Sequence, residues 1–234
     1  MTLSLIIDII IVLFLALGGY YGWKAGVLKA LVKFVGLIAI TIISFSLKGF
    51  LSTLFIKYLP FINLGGVFDG LYSINVFVYN ALAFLIIFIL LYCVLNIIIS
   101  ITGFLNTLLK FTIIWILPSK ILGAIVGVLE AWVFVLLVLF VLAQIPYTTS
   151  SIYASNIAPA MMKYTPLIGP FVEKTANSME EIYVMVKDGI KDSSLQELDL
   201  QILVKALGSG IVTKDQLNEL IDEGKIEYEN VTFG

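Results

Sequence analysis

Glu130 is the residue whose type and position most invite chemistry. It lies about nine residues into an apolar run opening at Ile121, hence roughly 14 Å along a helix rising 1.5 Å per residue. Near mid-bilayer an ionised carboxylate costs at least ~2.5 kcal/mol even on lenient insertion scales, so its charge must be paired, neutralised or wetted. A proton or ion relay is one use of such a group. A structural contact with Lys33, Asn80 or Asn96 on a neighbouring helix is the other, and it is the expectation because no second relay group is evident. Asp8 sits closer to the end of its own apolar run, where solvation at the membrane interface is expected. Lys29 and Lys33, four apart on one helical face, can snorkel to headgroups. With Lys24 and Lys120 they form a basic set expected at the cytoplasmic interface.

Other chemistry is thinly provided for. The chain has no histidine, which removes the commonest acid–base residue and the commonest metal ligand. Its single cysteine, Cys93, lies inside an apolar run, so no internal disulfide can form and a thiolate metal site is not expected. There is no phosphate-binding glycine loop, nucleotide fingerprint or zinc spacing. These observations predict no catalytic residue, no cofactor and no metal, and argue against an enzyme. Nucleic-acid binding has no support either, since the part that reads as soluble is acidic.

The elements that must carry these residues are membrane spans. Hydrophobic residues make up 60% of the chain and charged residues 13%, and the mean hydropathy is +1.07. A soluble domain of 234 residues needs more charged surface than that. Four stretches supply the ~20 apolar residues that a bilayer core requires: Leu3 to Tyr21, Val27 to Leu47, Val76 to Ile101 and Ile121 to Ile145. Unpaired backbone groups are too costly in hydrocarbon for such runs to be anything but helices, despite their abundance of Ile and Val. The first run has no lysine before it and no small-residue cleavage pattern, so it reads as a retained span. Lys48 to Asn75 reads as a loop holding a short interfacial helix from Leu51 to Tyr58. Phe104 to Leu117 is apolar but too short to span, which favours an interfacial helix over a re-entrant element.

Two further patterns bear on assembly. Gly18, Gly22 and Gly26 recur every four residues, and Gly123 and Gly127 repeat the spacing in the last span. Small residues four apart let helices approach closely in lipid, where apolar surface gives little drive to associate. Packing inside the bundle is the expected use; a homo-oligomer seam is the sharper alternative. Lysine placement then sets orientation. Lys24, Lys29, Lys33, Lys110 and Lys120 fall on one side and only Lys48 and Lys57 on the other, so the positive-inside rule puts the first and third loops in the cytoplasm and both termini outside.

The chain changes character at Pro146. Residues 1–145 hold seven lysines against three acids, whereas residues 146–234 hold seven lysines against thirteen. The expectation is a four-helix transmembrane domain over 1–145 and an acidic, helical extramembrane tail over 146–234. In the tail, Phe171 to Lys191 reads as a helix with Phe171, Ile182, Met185 and Val186 available for one face. Ser194 can cap a second helix that Gly208 stops, and Thr213 and Gln216 have capping-box form before a third that ends at Gly224. Three such helices are too small to bury a large core alone.

Two segments resemble the colicin V production protein family of small bacterial inner-membrane proteins. Gly22-Trp23-Lys24-Ala25-Gly26-Val27-Leu28-Lys29, followed by Gly36, is similar to the family's first cytoplasmic turn. Lys120-Ile121-Leu122-Gly123-Ala124-Ile125-Val126-Gly127 is similar to the entry to its last span. The likeness covers roughly Leu3 to Pro166. Ser119 stands where relatives usually carry an acid, Ala30 where an acid commonly follows the basic residue, Glu130 where a basic residue is frequent, and Ala131 where a glycine is. The resemblance implies Gly22, Gly26, Gly36, Gly123 and Gly127 as helix-packing positions. It also implies a role in production and export of a peptide toxin and, more broadly, in envelope homeostasis.

The fold class expected is all-α: a polytopic membrane bundle of about four transmembrane helices with a small helical soluble C-terminal tail. Two functions fit it. One is a non-catalytic scaffold of the inner membrane, with the lipid bilayer, a possible second copy and an extracytoplasmic protein reached through the tail as partners. The other is a small transporter or channel subunit, with Glu130 and Asp8 facing a polar path once the chain oligomerises.

Overall fold

The structure, a computed structural model, describes residues 3–63, 65, 68–101, 116–166, 168–189 and 195–226. Four long helices come first: α1 (Leu3–Ala25), α2 (Val27–Tyr58), α3 (Ile74–Ile101) and α4 (Ile116–Ala143). Each is long and apolar enough to cross a membrane. Leu13, Val35, Leu90 and Ile125 expose apolar side chains outward, as lipid rather than water requires. α4 is the central helix: half of its most apolar window is buried, against 11% for α1. It packs on α1 along one side and on α2 along another, while α3 pairs with α2.

α2 differs from the expectation. Lys48 and Gly49 do not break it, and the stretch read as a separate interfacial helix continues the second span. Its 32 residues reach about 48 Å, well beyond a ~30 Å hydrocarbon core. The excess forms a post rising from the membrane. The expected interfacial helix over Phe104 to Leu117 and the Ser194 cap lie outside the described residues, Ile116 and Leu117 of α4 excepted.

Five shorter helices follow: α5 (Pro146–Tyr153), α6 (Ala158–Tyr164), α7 (Gly169–Gly189), α8 (Leu195–Gly208) and α9 (Lys214–Asp222). The Thr213 capping box at α9 forms, with its hydroxyl accepting from Gln216 N and Gln216 Oε1 accepting from Thr213 N. α8 ends at Gly208, as expected, and the turn that follows falls at Gly210, whose φ of 68° suits glycine. Phe171 is exposed rather than on the inner face of α7, whereas Ile182 and Val186 are fully buried.

The tail does not stand alone. Ile182, Val186, Ile202, Leu203, Leu217 and Leu220 share one core with Ile56 of the α2 post and with Ile74, Phe77 and Tyr79 at the start of α3. A three-helix appendage too small to enclose its own core thus borrows the projecting ends of two spans. A second core joins the spans to Ile152, Met161, Met162 and Val172.

Candidate functional site

Three polar arrangements take up the residues singled out in the sequence, and each depends on how the helices meet. At the end of the bundle that carries Lys24, Lys29 and Lys120, α1 and α4 touch through glycine. A methyl group built on Gly22 would fall 2.8 Å from Gly127 Cα and nearer still to the Gly123 carbonyl oxygen. One built on Gly123 would fall 2.5 Å from the Gly22 carbonyl oxygen and 2.8 Å from the Gly26 carbonyl carbon. Both glycine rows therefore face each other within one chain. Gly26 turns the backbone at φ 79°, and Ser119 Oγ, 3.4 Å away, accepts from the exposed amide of Val27 at the start of α2. Where relatives were expected to place an acid, this chain bridges its two turns with a hydroxyl. Gly36 is different in kind, since a methyl there meets only the Leu95 side chain.

Next to this seam lies a cavity of about 300 Å³ containing Glu130 and Lys33, with Phe14, Leu17, Tyr21 and Phe134 around them. Of the partners expected for Glu130, Lys33 shares its cavity, although among the described ion pairs none joins the two. The two asparagines are engaged elsewhere. Asn96 donates to Tyr92 O on its own helix, and Asn80 accepts from Gln216 Nε2 and donates to Ile211 O in the tail. Glu130 is half-buried rather than enclosed.

The third arrangement departs most from the expectation. Asp8 is not solvated: it is 8% exposed, and its carboxylate accepts from Ser155 Oγ at 2.5 Å, Asn156 Nδ2 at 3.0 Å and the amides of Asn156 and Ile157 at 3.2 Å. Ser155 Oγ in turn accepts from Ala158 N at 2.9 Å. A carboxylate on the first span thus holds the two amides just before α6 and, through Ser155, orients the hydroxyl that takes the helix's first amide. Asp199 does the same in reverse. This tail residue, 5% exposed, accepts from Tyr72 N, Ser73 N and Ser73 Oγ at 3.0, 3.0 and 2.5 Å, satisfying the amides that precede α3. Burial pushes its carboxyl above the usual range, although all three hydrogen bonds favour the ionised form.

Further contacts complete the docking. Lys225 Nζ donates to the carbonyls of Ile56 and Leu59 at the open C-terminal end of α2. Lys57 pairs with Glu219 at 3.2 Å, a surface bridge of little energetic worth. Tyr153 Oη donates to Asn177 Oδ1, and burial followed by nearby Glu173, Glu180 and Glu181 pushes its hydroxyl up to about 12. Asp199, Asn80, Gln216 and Lys225 escaped the sequence reading because their partners lie far along the chain. Only the buried polar pattern Asn75-Asn80 at the start of an apolar run could have signalled that something docks there. Replacing Asp8 by alanine should leave Ser155 and the Asn156 and Ile157 amides without their acceptor. We expect proteolytic cleavage between Ser155 and Ala158 in Asp8→Ala protein and protection in the wild type, read by mass spectrometry of digests in nanodiscs.

Four apolar helices, a basic end, a glycine seam and a polar outer module define a polytopic membrane protein. The chain belongs to the colicin V production protein family, whose model matches residues 7–166. The match takes in all four spans and closes at the turn after α6. No curated protein and no solved structure matches the chain.

Proposed function

We propose that this protein is a non-catalytic scaffold of the bacterial inner membrane that supports colicin V production by holding an extracytoplasmic partner of the export machinery on its tail. Family membership ties the chain to colicin V production. The observation that carries the scaffold reading is the two-way exchange of buried carboxylate hydrogen bonds between bundle and tail. Asp8 of a span holds the tail, and Asp199 of the tail holds a span, so bundle and outer module are tied to each other at two buried points, which favours a fixed arrangement. A scaffold needs that rigidity, whereas an alternating-access carrier must break such contacts in every cycle. The tail lies at the end of the bundle opposite Lys24, Lys29, Lys33 and Lys120, which supports an extracytoplasmic placement under the positive-inside rule.

A second reading is favoured by the cavity shared by Glu130 and Lys33: a small transporter or channel subunit with Glu130 in a polar path. One substitution separates the two. Glu130→Gln keeps the size and a hydrogen-bonding capacity while removing the charge. Under the scaffold reading toxin secretion stays within about twofold of wild type, whereas truncation after Pro146 abolishes it. A proton or ion path predicts the reverse for Glu130→Gln, with loss of flux in proteoliposomes at unchanged protein level.

A further inference from the structure

α6 and the start of α7 form a helical hairpin that runs back alongside the spans. Its turn, Thr165-Pro166, meets α4 at Trp132, whose indole Nε1 donates to Thr165 Oγ1 at 2.6 Å. Trp132 lies one residue from the middle of the apolar segment Ser119–Ala143. Higher up, the Phe171 ring stacks on Phe45 of α2 at 5.5 Å, and Phe45 packs on Phe140 near the outer end of α4. The hairpin therefore descends from the level of Asp8 to about half the depth of the bundle and climbs out again.

Its chemistry suits that depth. From Tyr164 to Val172 the chain carries no charged residue. Tyr164 is 73% exposed and Phe171 58% exposed, each with most of its ring uncovered by protein. Two bulky rings presented to water would be unfavourable, whereas lipid accepts them. Three donors among the described residues of the turn are satisfied within the hairpin, as non-helical chain at membrane depth requires. Gly169 N donates to Thr165 O at 3.1 Å, Ile168 N to Pro166 O at 2.8 Å, and Thr165 Oγ1 to Met161 O at 2.6 Å. Gly169 has no room for a side chain, since a methyl there would collide with the Met162 carbonyl. Lys163, one turn from the tip, is the exposed cation on the descending arm. Helical side chains lean toward the helix N-terminus, which on α6 is the outer end, so its ammonium can snorkel to the outer headgroups.

Beneath the turn lies a cavity of about 380 Å³, lined mainly by Phe34, Ile38, Leu129, Trp132, Pro166 and Ile168. Tyr164 also borders it; the Trp132 and Thr165 polar atoms are spent on each other, so apart from the Tyr164 hydroxyl the side chains of the lining offer carbon to the occupant. At that depth the available carbon is a phospholipid acyl chain. We propose that residues 158–172 form a re-entrant membrane hairpin and that a phospholipid acyl chain fills the cavity under its tip. The extramembrane tail then begins within α7 rather than at Pro146.

The test uses the full-length protein in nanodiscs of phosphatidylethanolamine and phosphatidylglycerol, with Cys93→Ser as background. Single cysteines replace Tyr164 and Phe171, with Asn177 as the exposed control. All three side chains are largely exposed, although Phe171 rests on Phe45 and Tyr164 borders the cavity, so circular dichroism of each variant must match the background protein before labelling. An impermeant maleimide is expected to label the Asn177 position roughly tenfold or more faster than the other two, with equal rates after denaturation in SDS. Comparable rates in nanodiscs would overturn the hairpin. Occupancy of the cavity is read separately in a Trp23→Phe, Trp115→Phe protein, where Trp132 is the remaining indole. Mid-chain dibrominated phospholipid should quench a blue-shifted Trp132 emission. A red-shifted, unquenched emission would put water there and overturn the acyl-chain assignment while leaving the labelling result to stand alone.

Discussion

Asp199→Ala should undock the outer half of the tail from the bundle. The Tyr72 and Ser73 amides and the Ser73 hydroxyl would lose their acceptor. Buried donors left unpaired cost roughly 1–3 kcal/mol each, and here the start of α3 and the packing of α8 depend on the same carboxylate. The expected result is loss of hydrogen-exchange protection over Leu195–Asp222, measured on the full-length protein in nanodiscs, while α1 and α4 keep theirs. Asp199→Asn, which retains one oxygen and the volume, should show a much smaller loss. Unchanged exchange in the alanine variant would mean that the apolar core around Ile202 and Leu217 holds the tail without that carboxylate.

The same carboxyl sets a direction for pH. Its folded pKa is raised, with burial as the largest cause, so the folded state favours the protonated acid. A raised folded value contributes stability that is fully present below the ordinary carboxyl range and is lost as pH climbs through the raised value. Docking should therefore be firmest below the ordinary carboxyl range and weaken as pH rises above it. Asp199→Asn has nothing to titrate there and should flatten that dependence; matching slopes in the two proteins would assign it to another group.

The second large effect is expected at the seam. Gly22→Ala adds one carbon that meets Gly127 Cα at 2.8 Å and the Gly123 carbonyl oxygen. These are backbone atoms and cannot rotate away, so α1 and α4 must separate along the whole glycine row. Overpacking of this kind costs about 1–3 kcal/mol, which for a chain of this size lowers Tm by roughly 2–4 °C per kcal/mol. Gly36→Ala offers the contrast. Its new carbon meets Leu95 Cδ2 at 2.7 Å, the end of a side chain that can change rotamer, and Tm should fall by no more than a degree or so. Equal melting of the two variants would show that the helices do not approach as closely as described. Both glycine rows face each other within one chain, which is the packing use of this spacing.

Much of this could be read from residue order alone, for a reason specific to lipid. A run such as Val76 to Ile101 must be a helix, because the bilayer offers its backbone no other partner. The Thr213 box and the glycine rows are likewise local, their donors and acceptors or their spacing lying within four residues. The docking of the tail is not local. Asp8 meets Ser155 across 147 positions and Asp199 meets Ser73 across 126, and nothing near either acid in the chain announces its partner. Asp8 read as solvated because its distance along the helix was known and its neighbours were not. α2 read as two helices because Lys48 and Gly49 looked like a boundary. Folding buries the far end of that helix against Leu217 and Leu220, and that burial outweighs the local preference to stop.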